Sequence, residues 1–508
     1  MADLSRQYSS QSSQHSSPSV YDSPKSGLYS ILRSRLVACD RTDEAQHFSR
    51  FSFLPLSAID EVVTTDVVKT VSGNRGWFTW RRGEDYSQMA KQAKKVFAIL
   101  GFFEAPTLIS TLFEDGLRDK HLPLTRVERS RVLVGSRGRE FTSFQKLSDM
   151  DVENFLRCQW YALAPVFTAL SSDVHVDREI CVTKDNPLPF FDVKKISSIP
   201  GRSTVYQGTL HAAHIKPRPD EHVKIAIKDF TDKTDFDKEK GNLVKIQKLN
   251  HPHLIRQIAT IEQGKSYYII FPWASGGNLS DFWKSPRTPE TEYLKPLTWC
   301  LEQMFGLADA LFALHHKLGD HKLDGMHCRH GDLKPENILY FDGTLVIADV
   351  GVSKVHVLGT DLRHDPTNTK ATTPCYEPPE AETDTKRPRR YDMWSLGCIF
   401  MEFIIWLLEG YGAIEDFKKQ RRGNDDPFPQ KGAYYQHNKP EPAIVHPVVT
   451  AKIEALRQHP RCTSQLTSLL KLISEDLIVV DPLKRAEAGE LRDKLRGIVR
   501  QRTGKDPG

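Results

Sequence analysis

The chain has 508 residues, too many for one ordinary domain, and roughly two or three are expected. Hydrophobic residues make up 39% and charged residues 27%, the mix of a soluble globular protein rather than a disordered one. Lysine and arginine exceed aspartate and glutamate by only five, so charge gives a nucleic-acid partner no support. Eight scattered cysteines without a Cys-x-x-Cys pair argue against a zinc knuckle or a disulfide framework and fit a reducing compartment. The N-terminus is Ser/Gln-rich and has no apolar signal core. The apolar run "IFMEFIIWLLEG" is too short to cross a bilayer and carries Glu402. The expectation is an intracellular chain, cytoplasmic or nuclear, with neither membrane nor nucleic acid as partner.

Residues 1–26 are dominated by serine and read as a disordered tail. Residues 27–185 read as a mostly α-helical region. In "EDYSQMAKQAKKVFAILGFF", Met89, Ala93, Val96, Phe97 and Leu100 fall on one helical face with lysines opposite. A second helix is expected after Ser148, with Asp149 and Asp151 in its first turn and Phe155, Leu156 and Trp160 on its buried side. No catalytic constellation stands out here. Arg81, Arg82, Lys91, Lys94 and Lys95 read as a solvated face, with a nucleic-acid or anion role the rarer alternative.

"KDNPLPFFDV" reads as a linker turning into a strand. Strand-like runs then dominate to about residue 273 ("STVYQGTL", "VKIAIKDF", "YYIIFPWA"), interrupted by one charged helical segment, "TDFDKEKGNLVKIQKL". From about residue 278 helices dominate, with short strands at "ILYF" and "LVIADV". The fold class is therefore α+β: a β-rich block, then an α-rich block, preceded by the helical region. There is no internal repeat and no G-x-x-x-x-G-K-[ST] element.

Six strings follow one another at telling intervals: "KIAIKDF", "HGDLKPEN", "IADVGVSK", "TPCYEPPE", "YDMWSLGC" and "DPLKR". In this order they resemble the eukaryotic protein kinase superfamily, serine/threonine type, over residues of about 190–500. "LNHPHLI", "FPWASGGNL" and "FIIWLLEG" are similar to fungal protein kinases with a long N-terminal extension. The resemblance implies a bilobal fold, ATP and Mg2+ as cofactors and a protein substrate. By the same resemblance Lys228 reaches the ATP phosphates, Asp332 accepts the substrate proton and Lys334 meets the transferring phosphate. Asn337 and Asp349 would hold magnesium, and Thr373 would contact Asp332 and Lys334. Asp392 would hold the backbone of the catalytic loop, and Arg485 would pair with Glu380. At the hinge, Phe271 is the gatekeeper, and the Pro272 carbonyl and Ala274 amide would bond adenine.

The chain departs from the family at three places. Aligned on Val205, the glycine-loop positions fall on Ser198, Pro200 and Ser203, with Gly201 out of phase; Gly201 and Val205 are the residues left to face the nucleotide. Counting back from His251 lands on Asn242 where the family has the glutamate that pairs with the lysine. Glu239, one turn earlier, is the candidate, with a plain surface charge as the alternative. Gly331 stands where the family has an arginine that grips a phosphorylated activation segment. Phosphorylation of Thr367, Thr369, Thr372 or Thr373 is therefore not expected to control activity, and the region before residue 185 is a candidate regulator, binding another protein or the catalytic domain in cis. Because Lys228, Asp332, Lys334, Asn337 and Asp349 all remain, the reading is an active enzyme with altered control. The alternative is a nucleotide-binding pseudokinase or scaffold, with an interaction protein built on the helical region as a third possibility.

Overall fold

The structure is a computed structural model that describes residues 24–38, 52–72, 84–127, 130–168, 179–285, 297–316, 327–350, 354–356, 374–383, 388–422, 432–436 and 442–504. Most of the serine-rich tail, Arg81, Arg82, Gly351 and all four threonines of 367–373 lie outside the described residues. Two compact units emerge: one gathers Met1–Val166, Asp185–Val193 and Thr209–His222, and the other Phe167–Lys184, Lys194–Gly208 and Val223–Gly508.

The first unit is helical around an apolar core that includes Leu32, Leu54, Val96, Phe97, Leu100, Leu112 and Phe155. Its first helix, Pro24–Ser34, begins inside the stretch read as tail, because proline is favoured in the first helical turn. The periodic segment at 84–101 is two helices rather than one, Glu84–Gln92 and Lys94–Gly101, broken at Ala93 (φ −136°). All five residues of the proposed face are buried nonetheless. The helix Asp149–Cys158 starts where expected, and the Ser148 hydroxyl caps it by accepting the Asp151 N–H. Val152, Phe155 and Cys158 form its buried face, while Leu156 and Trp160 are half-buried, so the buried stripe is rotated from the one read in the sequence. A small sheet of Thr125–Arg126, Leu133–Val134 and Glu140–Phe141 was not legible; each strand has only two residues, too short for any alternation to register.

The second unit has a β-rich lobe followed by an α-rich lobe. Its six-stranded sheet runs, edge to edge, through Glu179–Val182, Ala259–Gln263, Ser266–Pro272, Val223–Phe230, Ser203–Leu210 and Phe190–Ile199. The helix Lys233–Gln247 follows the strand Val223–Phe230 directly and is capped by Asp232, whose carboxylate accepts the N–H groups of Thr234 and Asp235. In the α-rich lobe, Leu297–His316 and Arg390–Glu409 are long and apolar enough to cross a membrane by length and composition. The apolar run around Glu402 is thus part of a 20-residue helix, and the most apolar windows of the two helices are 67% and 94% buried, as core helices are. Between them the hairpin Ile338–Phe341/Thr344–Ile347 carries the chain to Asp349.

Candidate active site

Lys228 sits near the end of an alternating strand, opposite Ile269 of the neighbouring strand, and is carried into the interior. Its ammonium lies 2.7 Å from both Glu239 carboxylate oxygens and 3.0 Å from Asp349 Oδ1. Glu239 is buried on the helix Lys233–Gln247. Asn242, one turn further along the same face, donates from Nδ2 to the Val350 carbonyl at 3.1 Å. The two alternatives of the sequence thus take different tasks: Glu239 meets the lysine, and Asn242 ties the same helix to the segment bearing Asp349.

Burial pulls the Lys228 ammonium down, but the two facing carboxylates outweigh it and hold it above the usual lysine range. The Lys228 charge holds Asp349 below the ordinary carboxylate range against its own burial. Burial pushes Glu239 up, and contact with Lys228 opposes that push. Asp349 has φ +56°, a left-handed backbone that few non-glycine residues adopt and that is retained where surrounding bonds enforce it.

The loop bearing Asp332 runs from the strand His327–Arg329 to the short 3-10 turn Pro335–Asn337. His330 is fully buried: its Nδ1 accepts the Asp332 N–H, and its Nε2 bonds the Ala348 carbonyl at 2.8 Å. The first bond fixes the tautomer, so Nε2 is the donor. The Asn337 carbonyl accepts the Ala348 N–H at 2.8 Å, a second tie between the loop and the residue before Asp349. Asn337 Nδ2 donates to the Asp332 carbonyl (2.8 Å) and to Asp332 Oδ2 (3.2 Å), and Lys334 Nζ lies 3.0 Å from that same Oδ2. Asp332, Lys334 and Asn337 therefore form one cluster.

Asp392, at the start of the helix Arg390–Glu409, accepts the N–H groups of His330 and Gly331 at 2.8 Å each and bonds His315 Nε2 at 2.9 Å. Burial would raise its pKa; bonds from His315 and the loop amides reverse that and hold it low. His315 had no sequence signal, since a lone histidine on an apolar helix looks like any core residue. Arg485 grips Glu380 at 2.7 and 3.2 Å and also bonds the Val479 and Arg390 carbonyls. A buried network around Glu402 was also missed: Tyr376 and Tyr434 donate their hydroxyls to it, and Arg421 lies 3.5 Å away.

At the hinge, Phe271 pairs with Ala226 and Pro272 with Ile225, and the Trp273 N–H donates to the Lys224 carbonyl. Ala274 is buried and closes a turn by accepting the Gly277 N–H. Val205 lies half-buried on the strand Ser203–Leu210. Gly201 sits at the exposed tip between two strands, with φ +72°, and the Arg202 N–H bonds the Ile199 carbonyl across it. Proline second and a positive-φ glycine third is the pattern of a type II turn, which is why this glycine is out of phase.

The pattern that describes the protein kinase domain matches residues 216–493, more than half of the chain. The chain belongs to the protein kinase family. Parts of this kinase are similar to a calcium/calmodulin-dependent protein kinase of Metarhizium anisopliae, 30% identical over 186 residues, which are 35% of this chain and 43% of the relative. An Aurora kinase of Schizosaccharomyces pombe is 30% identical over 162 residues, 31% of this chain and 39% of the relative. A cyclin-dependent kinase-like 4 of Homo sapiens is 22% identical over 298 residues, 54% of this chain and 73% of the relative. The kinase spans less than half the length of the first curated relatives it matches.

Proposed function

We propose that this kinase transfers the γ-phosphate of ATP to serine or threonine side chains of protein substrates. The observation that carries the reading is the seating of Lys228 between Glu239 and Asp349, in one unit with the Asp332–Lys334–Asn337 cluster. Lys228, kept charged by its two carboxylates, would hold ATP phosphate oxygens. Asp332, its carboxylate oriented by Asn337 and Lys334, would accept the proton of the substrate hydroxyl. The Asn337 side-chain nitrogen is engaged by Asp332, so its oxygen is the atom suited to a cation, and Asp349 supplies a carboxylate oxygen beside it in role. Magnesium bound there with ATP would neutralise charge developing on the phosphate oxygens. Lys334, through the family resemblance, supports serine or threonine over tyrosine.

An intracellular setting fits the relatives' kinds, and a protein partner is the substrate class. The N-terminal unit is a candidate regulator acting in cis, because it incorporates Asp185–Val193 and Thr209–His222, the segments that flank two strands of the catalytic sheet. The second reading, a nucleotide-binding pseudokinase, is favoured by one feature: a proline-containing turn where a flexible glycine loop would let backbone N–H groups approach phosphates. A magnesium-ATP transfer assay with phosphoamino-acid analysis separates the two. Phosphoserine or phosphothreonine formed by the wild type and abolished by Asp349→Asn supports catalysis. ATP binding without any transfer supports the pseudokinase.

A further inference from the structure

Gly331 has φ +82°, a conformation in which any L side chain is strained. A Cβ placed there would lie 3.2 Å from Arg329 Nε, 3.7 Å from its Nη2 and 3.9 Å from its Cζ. The guanidinium of Arg329 therefore packs against the α-carbon of the residue where the family has its arginine. Arg329 is only 7% exposed, its Cζ lies 5.7 Å from the Tyr391 ring centre, and the Tyr391 hydroxyl donates to Glu377. Its backbone pairs with Lys354 in the strand Lys354–His356, on the far side of Asp349 in sequence. One buried cation thus meets two things, the turn bearing Asp332 and the start of the helix bearing Asp392, while the backbone of the same residue pairs with the strand that follows the magnesium-ligand candidate.

We propose that Arg329 is a positioning residue that supplies, from the neighbouring strand, the cation missing at residue 331, so that Arg329 and Gly331 form one coupled unit. The glycine is then a requirement of the arrangement rather than a loss. With no side chain at 331, the guanidinium of Arg329 closes over the turn, while Asp392 holds the turn's two amides. Asp332 is fixed through the turn and not by direct contact, so the effect falls on turnover more than on nucleotide binding. The proposal rests on the phosphotransfer reading for its kinetic form only.

The test is a double-mutant cycle in the full-length chain: Arg329→Gly, Gly331→Arg and the transposed Arg329→Gly/Gly331→Arg, with Arg329→Lys and Gly331→Ala alongside. Turnover, KM for ATP and melting temperature are measured for each. The expected result is a loss of turnover of at least about tenfold in Arg329→Gly, with KM for ATP within about twofold and Arg329→Lys partly active. Restoring the family's arginine alone, as Gly331→Arg, also lowers activity, and Gly331→Ala shows how much of that is backbone strain. The transposed variant recovers at least about tenfold over the product of the two single losses. Single losses that simply multiply, or an Arg329→Gly variant with wild-type turnover, overturn the proposal. A wild type without transfer refutes the phosphotransfer reading alone. The coupling is then read from melting temperatures, where non-additive shifts support it and additive shifts overturn it.

Discussion

Lys228 is shared by two carboxylates, and the sharing decides what each single substitution does. Removing Glu239 leaves a buried ammonium with Asp349 as its one remaining ion-pair partner among the described residues. Leaving a buried charge wholly uncompensated costs about 3–5 kcal/mol, and with Asp349 still in place the cost here falls below that. Glu239→Ala should therefore lower the melting temperature and raise KM for ATP together, as calorimetry and steady-state kinetics would show. If neither moves, the 2.7 Å pair is incidental. At this scale the sequence was most readable where a residue type is demanded by chemistry in a fixed string: Asp332, Lys334, Asn337 and Asp349 all lie in such strings. It was least readable where the partner comes from a distant element. His315 and the Glu402 network carry no motif, because their meaning lies in contacts made across tens of residues.

Two elements invite separate experiments. The hairpin tip Pro200–Gly201 is held by a turn bond between Ile199 and Arg202. Replacing Pro200 with glycine restores a backbone donor and conformational freedom, so KM for ATP should fall. An unchanged or higher KM would remove this turn from the list of constraints on nucleotide binding. In the N-terminal unit, His211 lies tilted against His222 (ring centres 4.4 Å apart) and His214 packs edge-on to Phe53 (5.3 Å). Burial first, and then His222 and Arg218, push His211 down to about 4. Burial likewise takes His214 to about 4, with Lys95 and His211 facing it and its bond to the Pro165 carbonyl opposing the shift. An unfolded chain takes up these protons below about pH 6.5 while the folded unit resists them until about pH 4, so the unfolded state binds more protons in that window. Stability should fall as pH drops through the window and level off beneath it. Thermal melts across that range check this, and a flat or rising melting temperature contradicts it. The helix start after Ser148 was legible, whereas the cap at Asp232 and the break at Ala93 were not, since alanine carries no signal against continuing a helix.

On the scale of the molecule, the order of a β-rich and an α-rich block was legible from the change of hydrophobic period. The composition of the N-terminal unit was not: it recruits Asp185–Val193 from sequence that reads as a linker turning into a strand, and Thr209–His222 from sequence that reads as part of the catalytic domain. The Asn186 side chain bonds the Leu163 carbonyl, and His214 bonds the Pro165 carbonyl, links that no local pattern encodes. A chain shortened to begin near Asp185 would strip those segments of their partners, remove the edge strand Glu179–Val182 from the second unit's sheet and bare Phe190, Val193, Ala212 and Ile215, all buried in the full chain. The expected outcome is a lower melting temperature and aggregation, read by light scattering; a shortened chain that melts like the full one would show that the first unit is dispensable to the fold. The isosteric Asp332→Asn removes the proton acceptor and leaves the nucleotide site in place. Transfer of labelled phosphate from magnesium-ATP to a serine or threonine peptide is measured alongside ATP affinity for wild type and variant. Unchanged affinity with turnover lower by about 10²–10⁴-fold is the predicted result. Turnover in the variant equal to that of the wild type, or a wild type that binds ATP and transfers nothing, would contradict it.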